Sequence, residues 1–576
     1  MATIGIEAGA LAAPRRRRLE LGAVVCTLFL GALVLVVLYP LALVVIDSFE
    51  VATPGRAATY GLANWQAAFT EPGLATALAN TIKVAVVVQA ISLPLAILIA
   101  WLIARTDLPG ADHVEFLFWV SFFLPTLVNT AGWILLADPN YGVLNQLLTK
   151  LPFFEKGPLN IYSFWGIVFV HLTGLGFAAK VMLLVPSFRN VDATLEEASR
   201  MAGVGPLGTL VRIVIPAVAP AILVVFLASL IRSFEAFEVE LVLGTPIQFS
   251  VYSTKIYGLI NQSPVNYGGA TALSMIILLA ALPLVLLQLW VTRRRSYTTV
   301  TGHAKTARIA LRRWRRPVAV AVFGVAFLCT IIPVAFMMLG SLMGLFGYFG
   351  ARETFTLRHW LTVLAEPRFG RALLNTLILG VGTAGAGVLL YSLMAYIAVR
   401  TRYAARWAFD LLTWVPFTIP GIILGLAYLL FVLQTPVLRP FYGSAALLVV
   451  VSTLSVMTVT MQLLKSNMLQ LSFDLEEASR TLGGTWWYTF RRVVVPLMMP
   501  AVMVAGIMAF ATAARQVAVI VPLTTSQTEP LAVLQLGYLM AENRSAASVV
   551  GTVVVALTVS AALLVRYLGA RAGVRA

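Results

Sequence analysis

The sequence predicts an all-α polytopic membrane protein, with about 12 transmembrane helices forming two parallel six-helix repeats. Three observations carry this. Of the 576 residues 60% are hydrophobic and only 11% charged, and the mean hydropathy of +0.90 lies outside the range of ordinary water-soluble domains. Apolar runs of about 20 residues, the length a bilayer demands, recur twelve times. Finally, the string LEEASR occurs at 195–200 and again at 475–480, so that Glu196 and Glu476 sit 280 positions apart.

In order, the expected spans cover 21–46, 76–104, 114–137, 161–186, 214–238 and 268–292, then 318–342, 372–399, 407–433, 444–468, 493–521 and 546–567. The first follows Arg15 to Arg18 and exceeds the apolar core of a cleavable signal, about 7–15 residues, so it is expected to be retained as a span. Six spans per half put both termini on one side. The halves also match elsewhere: Trp65 with Trp360, Asn80-Thr81 with Asn375-Thr376, Arg105 with Arg400 and Pro125 with Pro420, all at an offset of 295. The fall to 280 at the duplicated string leaves a net 15 extra residues in the first half, which the loop 138–160 accommodates. Repeats with an even number of spans are parallel, related by an axis along the membrane normal. The expected divisions are a first half at 1–292, a basic linker at 293–317 and a second half at 318–576.

The formal net charge is +17. If the N-terminus is cytoplasmic, most of the 41 Lys and Arg fall in short cytoplasmic segments, nine of them in the linker. The surplus is therefore expected to face anionic lipid headgroups, and a nucleic-acid partner is not expected. Cys26 and Cys329 have no metal-ligand spacing around them and read as small apolar fillers.

The duplicated stretches read as short polar helices between long apolar runs. Thr194 with Glu197, and Asp474 with Glu477, have the spacing of a capping box, and the additional acids Glu196 and Glu476 suit the positive end of a helix. Leu195, Ala198 and Ala202 share one face, as do Leu475, Ala478 and Leu482, while Gly203 and Gly483 end the runs as C-terminal glycines. Each helix therefore presents a small apolar stripe suited to docking.

Glu197-Ala198-Ser199, Gly203, Ile213, Ile215 and Pro216 in the first copy, with Glu477-Ala478-Ser479, Gly483, Val493, Val495 and Pro496 in the second, resemble the EAA loop of binding-protein-dependent permeases. These are the membrane subunits of type I ABC importers. Ser stands for the second Ala of the motif, and Ile or Val for its Leu. The resemblance places EAA loops at about 187–213 and 469–492. It implies that Glu196, Glu197, Ala198, Gly203, Glu476, Glu477, Ala478 and Gly483 couple the chain to two copies of a cytoplasmic ABC ATPase. It further implies an external, periplasmic substrate-binding protein, a multi-pass location in the bacterial inner membrane and both termini in the cytoplasm. A fused pair of halves looks like the ferric-iron and thiamine permeases, and the segment 234–246 with 251–257 is most similar to the iron branch. Thiamine, phosphonate and polyamine are the alternative cargoes.

No catalytic residue is expected. The chain contains no Gly-x4-Gly-Lys-Ser/Thr, and none of its seven lysines follows a glycine, so ATP would be held by the partner and no cofactor by this chain. His113, His171, His303 and His359 are scattered without a metal pair. Charges within spans are the candidates for a translocation path, since each is costly unless it lines water or finds a partner. They are Arg232, Glu235 and Glu238 near the end of the fifth run, Arg515 and Gln516 in the aligned segment of the second half, and Lys83. At the 280 offset Glu235 corresponds to Arg515, and the two are expected to face each other across the pseudo-axis. An ATP-independent secondary transporter of two six-span repeats is the rival class, but it has no need of a duplicated acidic helix.

Overall fold

The computed structural model describes residues 15–51, 58–294, 308–349 and 353–571. Among them, nine helices are long and apolar enough to cross a membrane, and three bent helix pairs, each taken as one span, bring the number to twelve. With no water in the hydrocarbon to satisfy backbone groups, such apolar runs close their hydrogen bonds internally as helices.

The expected continuous spans at 114–137, 318–342 and 407–433 are broken instead. Ala111–Phe123 meets Thr126–Ala137 at 104°, Arg406–Thr418 meets Gly421–Gln434 at 109°, and Arg312–Cys329 meets Ile331–Leu342 at 41°. The two sharp breaks fall at Pro125 and Pro420, the prolines that the repeats share. A proline disfavours the helical region for the residue before it, and Leu124 (ψ 135°) and Ile419 (ψ 126°) are accordingly extended. Each proline then caps the next helix, which leaves in a new direction.

The fifth spans also begin and end earlier than expected, at Pro206–Ser233 and Trp486–Arg515. The helix beginning at Ile215 stops at Ser233, where the N–H groups of Phe234 and Glu235 bond back to Ile231 and Arg232 and tighten the last turn. Its counterpart stops at Arg515, because Gln516 is extended. Glu235, Glu238 and Gln516 therefore lie just beyond helix ends. Each half then lays down a further short helix, Tyr252–Asn261 or Leu531–Met540. The shared Asn-Thr pairs hold these: Thr81 and Thr376 accept from the N–H of Tyr252 (3.0 Å) and Leu531 (2.8 Å), and Asn80 and Asn375 donate to carbonyls of the segments leading in.

The halves interlock. The first span packs on Gly421–Gln434 of the other half as well as on Tyr267–Arg294 of its own, and Ile331–Leu342 packs on Thr126–Ala137. Tyr428 donates its hydroxyl to the Val36 carbonyl (2.9 Å), Tyr39 lies edge-on to Phe431, and Gln434 donates to the buried Asp47 (2.9 Å). Of the expected linker, 295–307 lies outside the described residues. Its remainder is hooked onto the first half: Ile309 pairs in parallel with Thr106, its N–H reaching the Arg105 carbonyl at 2.8 Å, and the Leu311 N–H reaches Asp107 at 2.8 Å.

Candidate functional site

The duplicated strings form the helices Ala193–Met201 and Asp474–Thr481. The expected capping boxes do not form. The side chains that accept the free N–H groups belong to residues two positions earlier, Asp192 for Thr194 (3.0 Å) and Ser472 for Asp474 (3.2 Å), themselves equivalent at the 280 offset. The Thr194 N–H holds the Asp192 carboxyl below its usual range. At the other end the glycines behave as expected. Gly203 (φ +77°) and Gly483 (φ +83°) are left-handed, and the next N–H closes onto Ser199 or Ser479.

The two adjacent glutamates of each copy divide. Glu197 and Glu477 face outward, together with Leu195, Ala198, Leu475, Ala478 and Leu482, so the stripe is free to dock. Glu196 and Glu476 turn inward. Glu196 is sealed against Arg105 in a bidentate pair, at 3.0 Å from Nε and 2.7 Å from Nη2. Glu476 meets Arg400 at 3.3 Å and accepts from the Tyr396 hydroxyl at 3.1 Å, while Arg400 donates to the carbonyls of Met468 and Leu471 and lies over the Phe473 ring. Arg105 and Arg400 end the second span of their halves, so each polar helix is fastened to a membrane helix. The serines that replace the motif's second alanine add another tie. Ser199 bonds Thr209 and Ser479 bonds Thr489, both at 2.8 Å, joining each polar helix to the start of the fifth span.

The repeat matches at Arg105 and Arg400 pointed to these anchors, although nothing local marks an arginine as the partner of a glutamate 91 positions away. Thr209 and Thr489 carry the same signal, being equivalent at the 280 offset.

The expected pairing of Glu235 with Arg515 is not found. Glu235 takes Arg232 at 2.7 Å, one turn away across the helix end. Arg515 donates to the Phe122 carbonyl at 2.5 Å and stands 5.6 Å from that ring. Arg232 in turn lies over Phe417, 4.6 Å from the ring centre. Phe122 and Phe417 are equivalent at the 295 offset and immediately precede the two sharp breaks. Each fifth span thus ends on an arginine resting on the broken span of the opposite half. Gln516 bonds Ser455 at 2.9 Å, and Glu238 is half-buried close enough for its charge to act on Arg515. Lys83 does not join this group. It shares an exposed face with Ile82 and Val86, while Thr81 and Val84 pack inward. A pair not foreseen, His171 with the fully buried Glu240 at 2.6 Å, lies on the first half only.

Residues 387–574 match the sequence model of a family described as the binding-protein-dependent transport system inner membrane component. The match lies within the second half of the chain. The chain is 28% identical over 413 residues to a protein of Haemophilus influenzae named as a ferric transport system permease, covering 70% of this chain and 63% of the relative. It is also 28% identical over 376 residues to the ferric transport system permease protein of Actinobacillus pleuropneumoniae, covering 64% and 53%. It thus spans less than two thirds of the length of either relative. The molybdenum transport system permease protein of Escherichia coli is 28% identical over 224 residues, which is 37% of this chain but 91% of that shorter one.

Proposed function

We propose that this chain forms the translocation path of an ATP-driven importer for ferric iron, with a binding protein delivering cargo outside and two copies of a separate ATPase docking on Ala193–Met201 and Asp474–Thr481. The supporting observation is the division of the paired glutamates. One of each pair, with the apolar stripe, is turned out towards a partner, and the other is buried on an arginine that ends a membrane helix. A push on the exposed face is thereby passed to the second span without slack. Nucleotide-driven closure of the ATPases would bias the two halves between inward-facing and outward-facing states through this differential contact. Both termini and the linker are cytoplasmic in this reading. Iron as cargo rests on the ferric relatives. Co-expression with an ABC ATPase and a ferric-binding protein from the same organism tests the reading. Radioactive ferric iron should accumulate only with all three proteins and a hydrolysis-competent ATPase, and accumulation without the ATPase would overturn it in favour of a secondary transporter.

A further inference from the structure

Beside the two sharp breaks, opposite halves each contribute a guanidinium held on a phenylalanine ring of the other: Arg515 on Phe122 and Arg232 on Phe417. The two are close enough for their charges to act on each other. Arg232 spends one Nη on Glu235 and is half exposed. Arg515 forms no ion pair among the described residues, and its hydrogen bonds go to the carbonyls of Phe122 and Leu124 through one Nη alone. A cation inside a membrane protein costs several kcal/mol unless something balances it. Here the guanidinium keeps donors free in the planar fork that matches carboxylate and phosphate oxygens. The ring contact fixes its plane in advance.

We propose that Arg515 and Arg232 form an anion clamp on the path, and that cargo passes it presenting negatively charged oxygens, either as a ferric complex with oxyanion ligands or as an oxyanion itself. This rests on the import role proposed above. The two arginines belong to opposite halves, so any movement of the halves changes their separation and hence the grip. Glu235 and Glu238 keep the site near neutrality, which lets the clamp release what it takes, as a conducting path requires. A bare cation has no comparable seat, since among the described residues no three His, Cys, Asp or Glu gather to hold a metal.

The test uses the full chain in lipid nanodiscs with three probes, ferric pyrophosphate, molybdate and inorganic phosphate, and chloride as control. At least one oxyanion probe should bind saturably, weakened at least tenfold in Arg515→Gln and by a smaller factor in Arg515→Lys, which keeps the charge but loses the fork, with both variants melting as wild type does. Binding of ferric pyrophosphate alone assigns the oxyanion to an iron complex, and binding of molybdate or phosphate assigns it to free cargo. No saturable oxyanion binding, or binding indifferent to Arg515→Gln, overturns the clamp. Iron accumulation that persists undiminished in Arg515→Gln cells likewise overturns it while leaving the iron reading intact.

Discussion

Arg105 and Glu196, 91 positions apart, meet in a bidentate ion pair with side chains 1% and 0% exposed, joining the end of a membrane helix to a polar helix at its base. Removing one partner strands the other charge, which costs about 3–5 kcal/mol, whereas replacing both by apolar groups is far milder. Arg105→Leu and Glu196→Leu should each lower the melting temperature of the purified protein, with the double variant recovering much of the loss. In the second half Glu476→Leu should cost less, because Arg400 keeps two carbonyls and the Phe473 ring. Equal losses in both halves, or additive losses in the first, would contradict this.

Ser199→Ala and Ser479→Ala should each cost about 0.5–1.5 kcal/mol, the net value of one hydrogen bond. Thr209 keeps its bond to the Gly205 carbonyl, so it is not left unpaired by Ser199→Ala. The sensitive measurement is amide exchange in Ala193–Met201, which should quicken while exchange in Leu74–Arg105 does not change.

At Gly203 and Gly483 an added β-carbon meets nothing within 4 Å, so the penalty for alanine is the left-handed backbone alone, about 1 kcal/mol. Gly203→Ala should leave insertion and ATPase association close to normal. Gly203→Asp and Gly483→Asp place a charge on the docking face and should reduce co-purification of the ATPase and uptake together. Unimpaired co-purification and uptake in both would make these helices simple connectors.

Pro125→Ala and Pro420→Ala release Leu124 and Ile419 from the extended conformation that the prolines favour. Uptake should fall at least several-fold while the ATPase still binds, since straightening either break draws a phenylalanine from under its arginine. Wild-type uptake in both variants would show that the bends are set by packing alone.

Cysteines introduced at Gly205 and at Thr485, equivalent positions after the two polar helices, should react only with reagent supplied from the cytoplasm, and one at Asn140 only from outside. Labelling of Gly205 and Asn140 from the same side would invert or dissolve the topology.

Much of the fold could be read from residues that the halves share. Trp65 and Trp360 both give their indole N–H to a serine ending the first span, Ser48 at 3.3 Å and Ser341 at 3.1 Å, and the Asn-Thr pairs seat the short helices Tyr252–Asn261 and Leu531–Met540. The prolines were visible as a match, yet hydropathy averages over a bend and registered one span where the chain makes two pieces. The caps were missed by two residues because Thr194 and Asp474 have the right chemistry at the wrong turn, and Asp192 and Ser472 reach the open N–H groups first. The charges within the apolar runs were legible, but not their partners. Offset arithmetic aligns backbone positions, and Glu235 lies past a helix end where a neighbour one turn away is nearer than anything across the axis.

The interlocked first span bears on how the protein is made. Val36 waits for the hydroxyl of a tyrosine 392 positions downstream. At about 5–20 residues per second, a ribosome needs roughly 20–80 s to supply it. Throughout that interval the newly inserted Arg15–Phe49 has lipid, the short Ala63–Thr70 and, later, Tyr267–Arg294 beside it, and Thr126–Ala137 lacks Ile331–Leu342. A half-made chain thus exposes unmated surfaces of both kinds, and two nascent copies on neighbouring ribosomes could exchange them. Delivery of both halves as one polypeptide keeps the correct mate tethered and nearby when it arrives, which two separately synthesised subunits would have to find by diffusion in the bilayer.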